Sequence, residues 1–177
     1  MQYYSLPFDP GPMAGKRFGK AGAEESVRQH IRLLLATMRE LRSKAIARLH
    51  GLDPDGTLFV EQSEAAIAAG AFHNDVVAVA NENVLFAHEL AFADRGEVVA
   101  FCEQRLPGFE LVEVPTADVP ITDAITSYLF NAQLVTPPDG EMTLVVPTEA
   151  RETPSVRSWL EKHVAGNGPI RRVEVVD

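Results

Sequence analysis

The chain has 177 residues, 46% hydrophobic and 23% charged, which is the balance of an ordinary globular domain. Its formal net charge is -9, yet nine of the sixteen Lys and Arg residues fall between Lys16 and Arg48. Everything from Gly51 onward is therefore acidic, which excludes a surface built to grip a phosphate backbone and leaves nucleic acid out as a partner.

Met1 to Gly22 is rich in proline and glycine and reads as an irregular lead-in. From Ala23 to His50 the apolar residues Val27, Ile31, Leu34, Met38, Leu41, Ala45 and Leu49 recur every three or four positions. That predicts a long amphipathic helix stopped at Gly51, with Pro54 soon after. Short alternating elements follow within one α/β domain over residues 23–177. Thr57 to Val60 is a strand candidate, and Ser63 to Ala69 a short helix with Ser63 as N-cap and Gly70 as its stop. Val76 to Ala80 and Val84 to Ala87 flank Asn81-Glu82-Asn83 and predict a tight hairpin. Glu97 to Leu106 is expected to be helical, Phe109 to Val114 a half-buried strand, and Thr122 to Phe130 another helix capped near Thr122 or Asp123. Met142 to Val146 predicts a strand, Ser155 to Val164 a helix ended by Gly166-Asn167-Gly168, and Arg171 to Val176 a last strand. Helices alternating with strands and a hairpin predict an α/β fold with mixed sheets. So apolar a last strand normally has a neighbour, which points to homo-oligomer contacts through strand edges.

The single cysteine, Cys102, excludes a disulfide framework, and the five histidines show no ligand spacing, so no metal or cofactor is expected. No run approaches ~18 apolar residues and no leading apolar core precedes a cleavage site, so no membrane partner and a cytoplasmic location are expected. Trp159 and Leu160 belong to the buried face of the last helix. His88 and Glu89 read as polar edge residues after the hairpin, Asn131 as a turn residue, and Cys102 as a small packing residue inside a helix. The most informative stretch is Gly70-Ala71-Phe72-His73-Asn74-Asp75. It sets an imidazole, a carboxamide and a carboxylate at the mouth of an apolar strand, where a sheet fixes the backbone while the terminus stays accessible.

Gly70-Ala71-Phe72-His73-Asn74-Asp75-Val76-Val77-Ala78-Val79 also carries a resemblance, together with Ala45 to Pro54, Asn83 to Glu89, Ser127 to Leu134, Met142 to Pro147 and Asn167 to Arg171. Over about Ser43–Asp177 the chain resembles the middle-to-C-terminal part of the N-succinylarginine dihydrolases, of the guanidine-modifying pentein superfamily. The resemblance implies a partial pentein-like α/β propeller over residues 57–177, following the long helix of residues 23–50. It implies a small-molecule guanidino substrate, N2-succinyl-L-arginine, hydrolysed in arginine catabolism to N2-succinyl-L-ornithine, ammonia and carbon dioxide. In such enzymes a cysteine thiolate attacks the guanidinium carbon, and His73 matches the catalytic histidine and Asp75 a substrate-binding aspartate.

Those residue types suit the chemistry. A guanidinium is planar and cationic, so a carboxylate can hold it by charge-assisted, fork-like hydrogen bonds, and an imidazole can shuttle the proton that the leaving amine needs. The two side chains are expected to border one hollow. The family's nucleophilic cysteine and catalytic glutamate have no counterpart identified here, and the position of a substrate-binding arginine falls at Thr37. The chain is thus expected to be a fragment or truncated relative, inactive alone. Alternatives are a non-catalytic interaction protein on a partial pentein scaffold, or a hydrolase of another guanidino compound.

Overall fold

The computed structural model describes residues 42–177, and the chain divides into two units, residues 1–52 and 53–177. The lead-in and most of the predicted long helix lie outside the described residues. Of the first unit, residues 42–49 form a helix, α1. It ends as the sequence predicts: Gly51 sits at φ +63, its N–H bonds the Arg48 carbonyl, and the Leu52 N–H bonds that of Ala47. This paired closure needs a left-handed residue, and glycine adopts that conformation without a Cβ clash.

The second unit opens with a 3-10 turn, Pro54–Gly56, capped by Asp53. Thr57 to Val60 is not a strand: Phe59 and Val60 are exposed, and the only ladder contact nearby is an isolated bridge between Gln62 and Phe92. Without a neighbouring strand, β-propensity has nothing to pair with. Helix α2, Glu64–Ala68, is capped by the Ser63 hydroxyl, which accepts from the Ala66 N–H at 3.1 Å and donates to the Leu90 carbonyl.

Two three-stranded sheets follow, and they repeat one connectivity. In the first, β1 (Ala78–Asn81) pairs antiparallel with β2 (Val84–His88), and α3 (Arg95–Arg105) crosses over to β3 (Glu110–Val114), parallel to β2. In the second, β4 (Gln133–Val135) pairs antiparallel with β5 (Thr143–Pro147), and α5 (Thr148–Glu152) and α6 (Pro154–Ala165) lead to β6 (Arg172–Val176), parallel to β5. Each is a ββαβ unit, joined to the other through α4 (Ile121–Thr126). The mixed α/β class expected from the sequence is therefore observed.

The hairpin turn Glu82-Asn83 lies where predicted, with Glu82 at φ +52. Helix α4 is shorter than expected. It stops at Thr126 because Tyr128 turns left-handed at φ +54, and its N-cap is Pro120 rather than Thr122 or Asp123. Neither β4 nor α5 is visible in the sequence pattern. Strand β4 has three residues with one buried apolar position, and α5 buries only Ala150, so neither shows a period.

The core lies between the two sheets. Val84, Phe86, Val112 and Val114 of the first pack with Leu134, Leu144 and Val146 of the second and with Val156, Trp159 and Leu160 of α6. The Phe86 ring lies 4.7 Å from Phe130 and 5.6 Å from Trp159, centroid to centroid. A separate, small-residue cluster of Ala66, Ala71, Val77, Ala87 and Ala91 lies on the other side of the first sheet. Central strand β2 thus buries both faces, which is why Val84 to Ala87 is continuously apolar.

Candidate functional site

The segment carrying His73 and Asp75 is clamped at both ends. Gly70, at φ +105, terminates α2. Ala71 is buried, donates its N–H to the Ala66 carbonyl at 3.0 Å, and accepts from the Gln62 side-chain amide at 2.7 Å. Phe72 then projects outward, 78% exposed. A 3-10 turn, Asn74–Val76, is closed by the Val76 N–H on the His73 carbonyl at 3.2 Å. Val77 is buried again, and its carbonyl accepts from the His88 N–H at 3.0 Å. The turn therefore stands at the C-terminal end of β2 with its backbone fixed.

His73 and Asp75 are both exposed on this one turn. Neither side chain has a hydrogen bond or ion pair among the described residues. They are two accessible, unengaged groups on a rigid base, one able to carry a proton and one able to hold a cation.

His88, read from sequence as an edge residue, is instead an interior one, 1% exposed. The Leu90 N–H donates to Nδ1 at 3.1 Å, so Nε2 carries the proton and donates to the Val119 carbonyl at 3.0 Å. Both ring nitrogens are occupied, and the residue fastens the loop after β3 beneath the turn. Its ring also meets Phe130 edge-on at 6.4 Å. Alternation toward the core along β2 was the sequence signal that places it inside.

Glu89, one residue on, donates its N–H to the Val114 carbonyl. The Thr116 hydroxyl stands beside its carboxyl, outside strict hydrogen-bond geometry, and with the Thr116 N–H still holds it below the usual carboxylate range, against burial that raises it. A carboxylate is therefore kept charged at this same end of β2.

A groove of about 580 Å³ lies elsewhere, lined by Asp53, Asp55, Phe101, Cys102, Arg105 and Leu106 among others, and includes neither His73 nor Asp75. Its arginine is already engaged. The Arg105 guanidinium lies 3.9 Å over Phe101, and its Nε donates to the Asp55 carbonyl at 2.7 Å. Burial pushes the Cys102 thiol up, away from the thiolate that a nucleophile needs. Cys102 is half-buried on α3 and belongs to neither apolar cluster. Among the described residues no group of three His, Cys, Asp or Glu is placed to hold a metal ion.

These elements define a mixed α/β scaffold with an imidazole and a carboxylate offered from one strand-entry turn. The succinylarginine dihydrolase family profile matches residues 17–177, and the chain belongs to that family. It is 59% identical over 160 residues to the N-succinylarginine dihydrolase of Novosphingobium aromaticivorans, which covers 90% of this chain and 36% of the relative. The enzyme of Sphingopyxis alaskensis is 56% identical over the same shares, and that of Idiomarina loihiensis 49% identical over 76% of this chain and 31% of its own length. The chain thus spans about a third of the length of the curated relatives it matches.

Proposed function

We propose that this chain supplies the proton-transfer and substrate-binding groups of a hydrolase that acts on the guanidino group of N2-succinyl-L-arginine. Net, two waters are consumed, and N2-succinyl-L-ornithine, two ammonia molecules and carbon dioxide are released. Asp75 holds the guanidinium by hydrogen bonds to its N–H edge. His73 protonates the departing amine and afterwards takes a proton from the water that releases the product. The supporting observation is the pair itself: His73 and Asp75 are exposed and unengaged on one turn whose flanks are buried and hydrogen-bonded.

The two ββαβ units are, in this reading, blades of a pentein-like α/β propeller operating in the cytoplasm, preceded by the long helix of residues 23–50. Strands β3 and β6 are sheet edges, and Val176 is exposed on the latter, so copies of the chain pair through these edges. Size-exclusion chromatography should give a dimer or larger species. A compact monomer would refute the pairing.

The 177-residue chain alone should bind N2-succinyl-L-arginine and lose it on Asp75→Asn, yet release no N2-succinyl-L-ornithine. Its only cysteine is Cys102, whose thiol burial pushes up. Product release by the purified chain, abolished by His73→Ala, would overturn the expected inactivity. The state of Cys102 equally favours a second reading, a non-catalytic interaction protein on the same scaffold. In that case no guanidino ligand would be retained in preference to its ornithine counterpart.

A further inference from the structure

We propose that Tyr128 is a substrate-contact residue of the same site, its ring the surface on which the planar guanidinium lies. This deepens the reading above and rests on it.

Tyr128 occupies a backbone position that glycine would normally take. It follows α4 at φ +54; its N–H bonds the Ile125 carbonyl at 3.2 Å, and the Leu129 N–H bonds that of Ala124 at 3.1 Å. That is the closure seen after α1, where the corresponding residue is Gly51. A bulky aromatic in the left-handed region is strained. Packing does not account for the ring, which is 52% exposed while the next two side chains, Leu129 and Phe130, are fully buried. Nor does a hydrogen bond, since its hydroxyl has no partner among the described residues. A strained, exposed aromatic on a firmly anchored backbone calls for a role outside the fold.

Its place supplies one. Phe130, two residues on, lies edge-to-ring with His88 at 6.4 Å, and the His88 N–H bonds the carbonyl of Val77, which ends the His73 turn. The Tyr128 segment is thus packed, through Phe130, on the last residue of β2, whose N–H also anchors the His73–Asp75 turn. Tyr128 and the turn also occupy matching places in the repeat, each on the segment that enters the first strand of its ββαβ unit. The chemistry is complementary. A carboxylate takes the N–H edge of a guanidinium, and an aromatic face takes its flat side by cation–π attraction.

The test is a titration of the full chain by NMR with N2-succinyl-L-arginine, using N2-succinyl-L-ornithine, which lacks the planar cation, as the control. Tyr128→Gly should melt at a higher temperature than the wild type, because the strain is gone. It should nevertheless bind succinylarginine about threefold to thirtyfold more weakly, while Tyr128→Phe stays within about twofold. The proposal falls if Tyr128→Gly binds as tightly as the wild type while Asp75→Asn does not, an outcome that leaves the reading of the turn intact. It also falls if Tyr128→Gly melts lower, since packing would then explain the ring. Should the wild type show no preference for succinylarginine over succinylornithine, the proposed function fails and the contact fails with it.

Discussion

The two ββαβ units share a connectivity but treat their entry segments in opposite ways. The segment before β4 drives Leu129 and Phe130 into the main core, where Phe130 meets both Phe86 and His88. The segment before β1 buries only Ala71 and Val77 around an exposed turn, over a cluster of alanines. The second entry thus adds large, fully buried side chains to its backbone hydrogen bonds, whereas the first rests mainly on the hydrogen bonds. Hydrogen bonds fix a chain without filling the space around its side chains. Chemistry therefore has room at the first entry.

The sharpest way to separate the two kinds of anchoring is to remove volume from each. Phe86→Ala should destabilise the protein by about 3–5 kcal/mol, because the ring is fully buried against Phe130 and Trp159. Val77→Ala, in the alanine cluster, should lose only roughly 2 kcal/mol. Chemical denaturation of both variants checks the order. Equal losses would mean that the turn is held by packing after all.

His88 joins the two regions and gives a smaller, more specific effect. Replacing it with leucine keeps the site apolar but strips partners from the Leu90 N–H and the Val119 carbonyl, at about 1–3 kcal/mol for each group left unpaired. Hydrogen exchange should quicken at Leu90 more than at Leu144, which lies in the second sheet. Uniform quickening would show that His88 serves the whole core rather than the loop beneath the turn.

Much of this arrangement is legible in the residues. The hairpin, α2, α3, β3, β5, α6 and β6 follow from apolar period and from Ser63, Gly70 and Gly166-Asn167-Gly168 as boundaries. What is not legible depends on contacts distant in sequence. Thr57 to Val60 has strand composition but no partner, and β4 has a partner but almost no composition. Position 73 stands out because polar groups cluster before an apolar run. His88 is in step with Val84 and Phe86 along β2, but the carbonyl it donates to lies thirty-one residues away, and no local pattern shows that partner. Tyr128 is hidden for a similar reason: only backbone geometry shows that a tyrosine stands where glycine is favoured.

The smallest expected effect belongs to the second unit and depends on pH. His163 stacks on Trp159 at 4.9 Å, and its Nε2 is buried without a hydrogen-bond partner. A Cβ on Gly168 would meet the ring at 2.8 Å, so the turn into β6 closes tightly against it. Burial first, then the charge of Arg171, hold the imidazole below its ordinary value. The folded protein therefore binds this proton less readily than the unfolded chain, whose histidine titrates near pH ~6.5. The stabilising contribution is complete above that pH and is lost as pH falls through the folded value. The melting temperature of the wild type should thus decline below pH ~6.5 more steeply than that of His163→Phe, which keeps a stacked ring but cannot take a proton. Comparing slopes cancels any constant offset from the altered ring. Parallel slopes would place the acid sensitivity in groups other than His163.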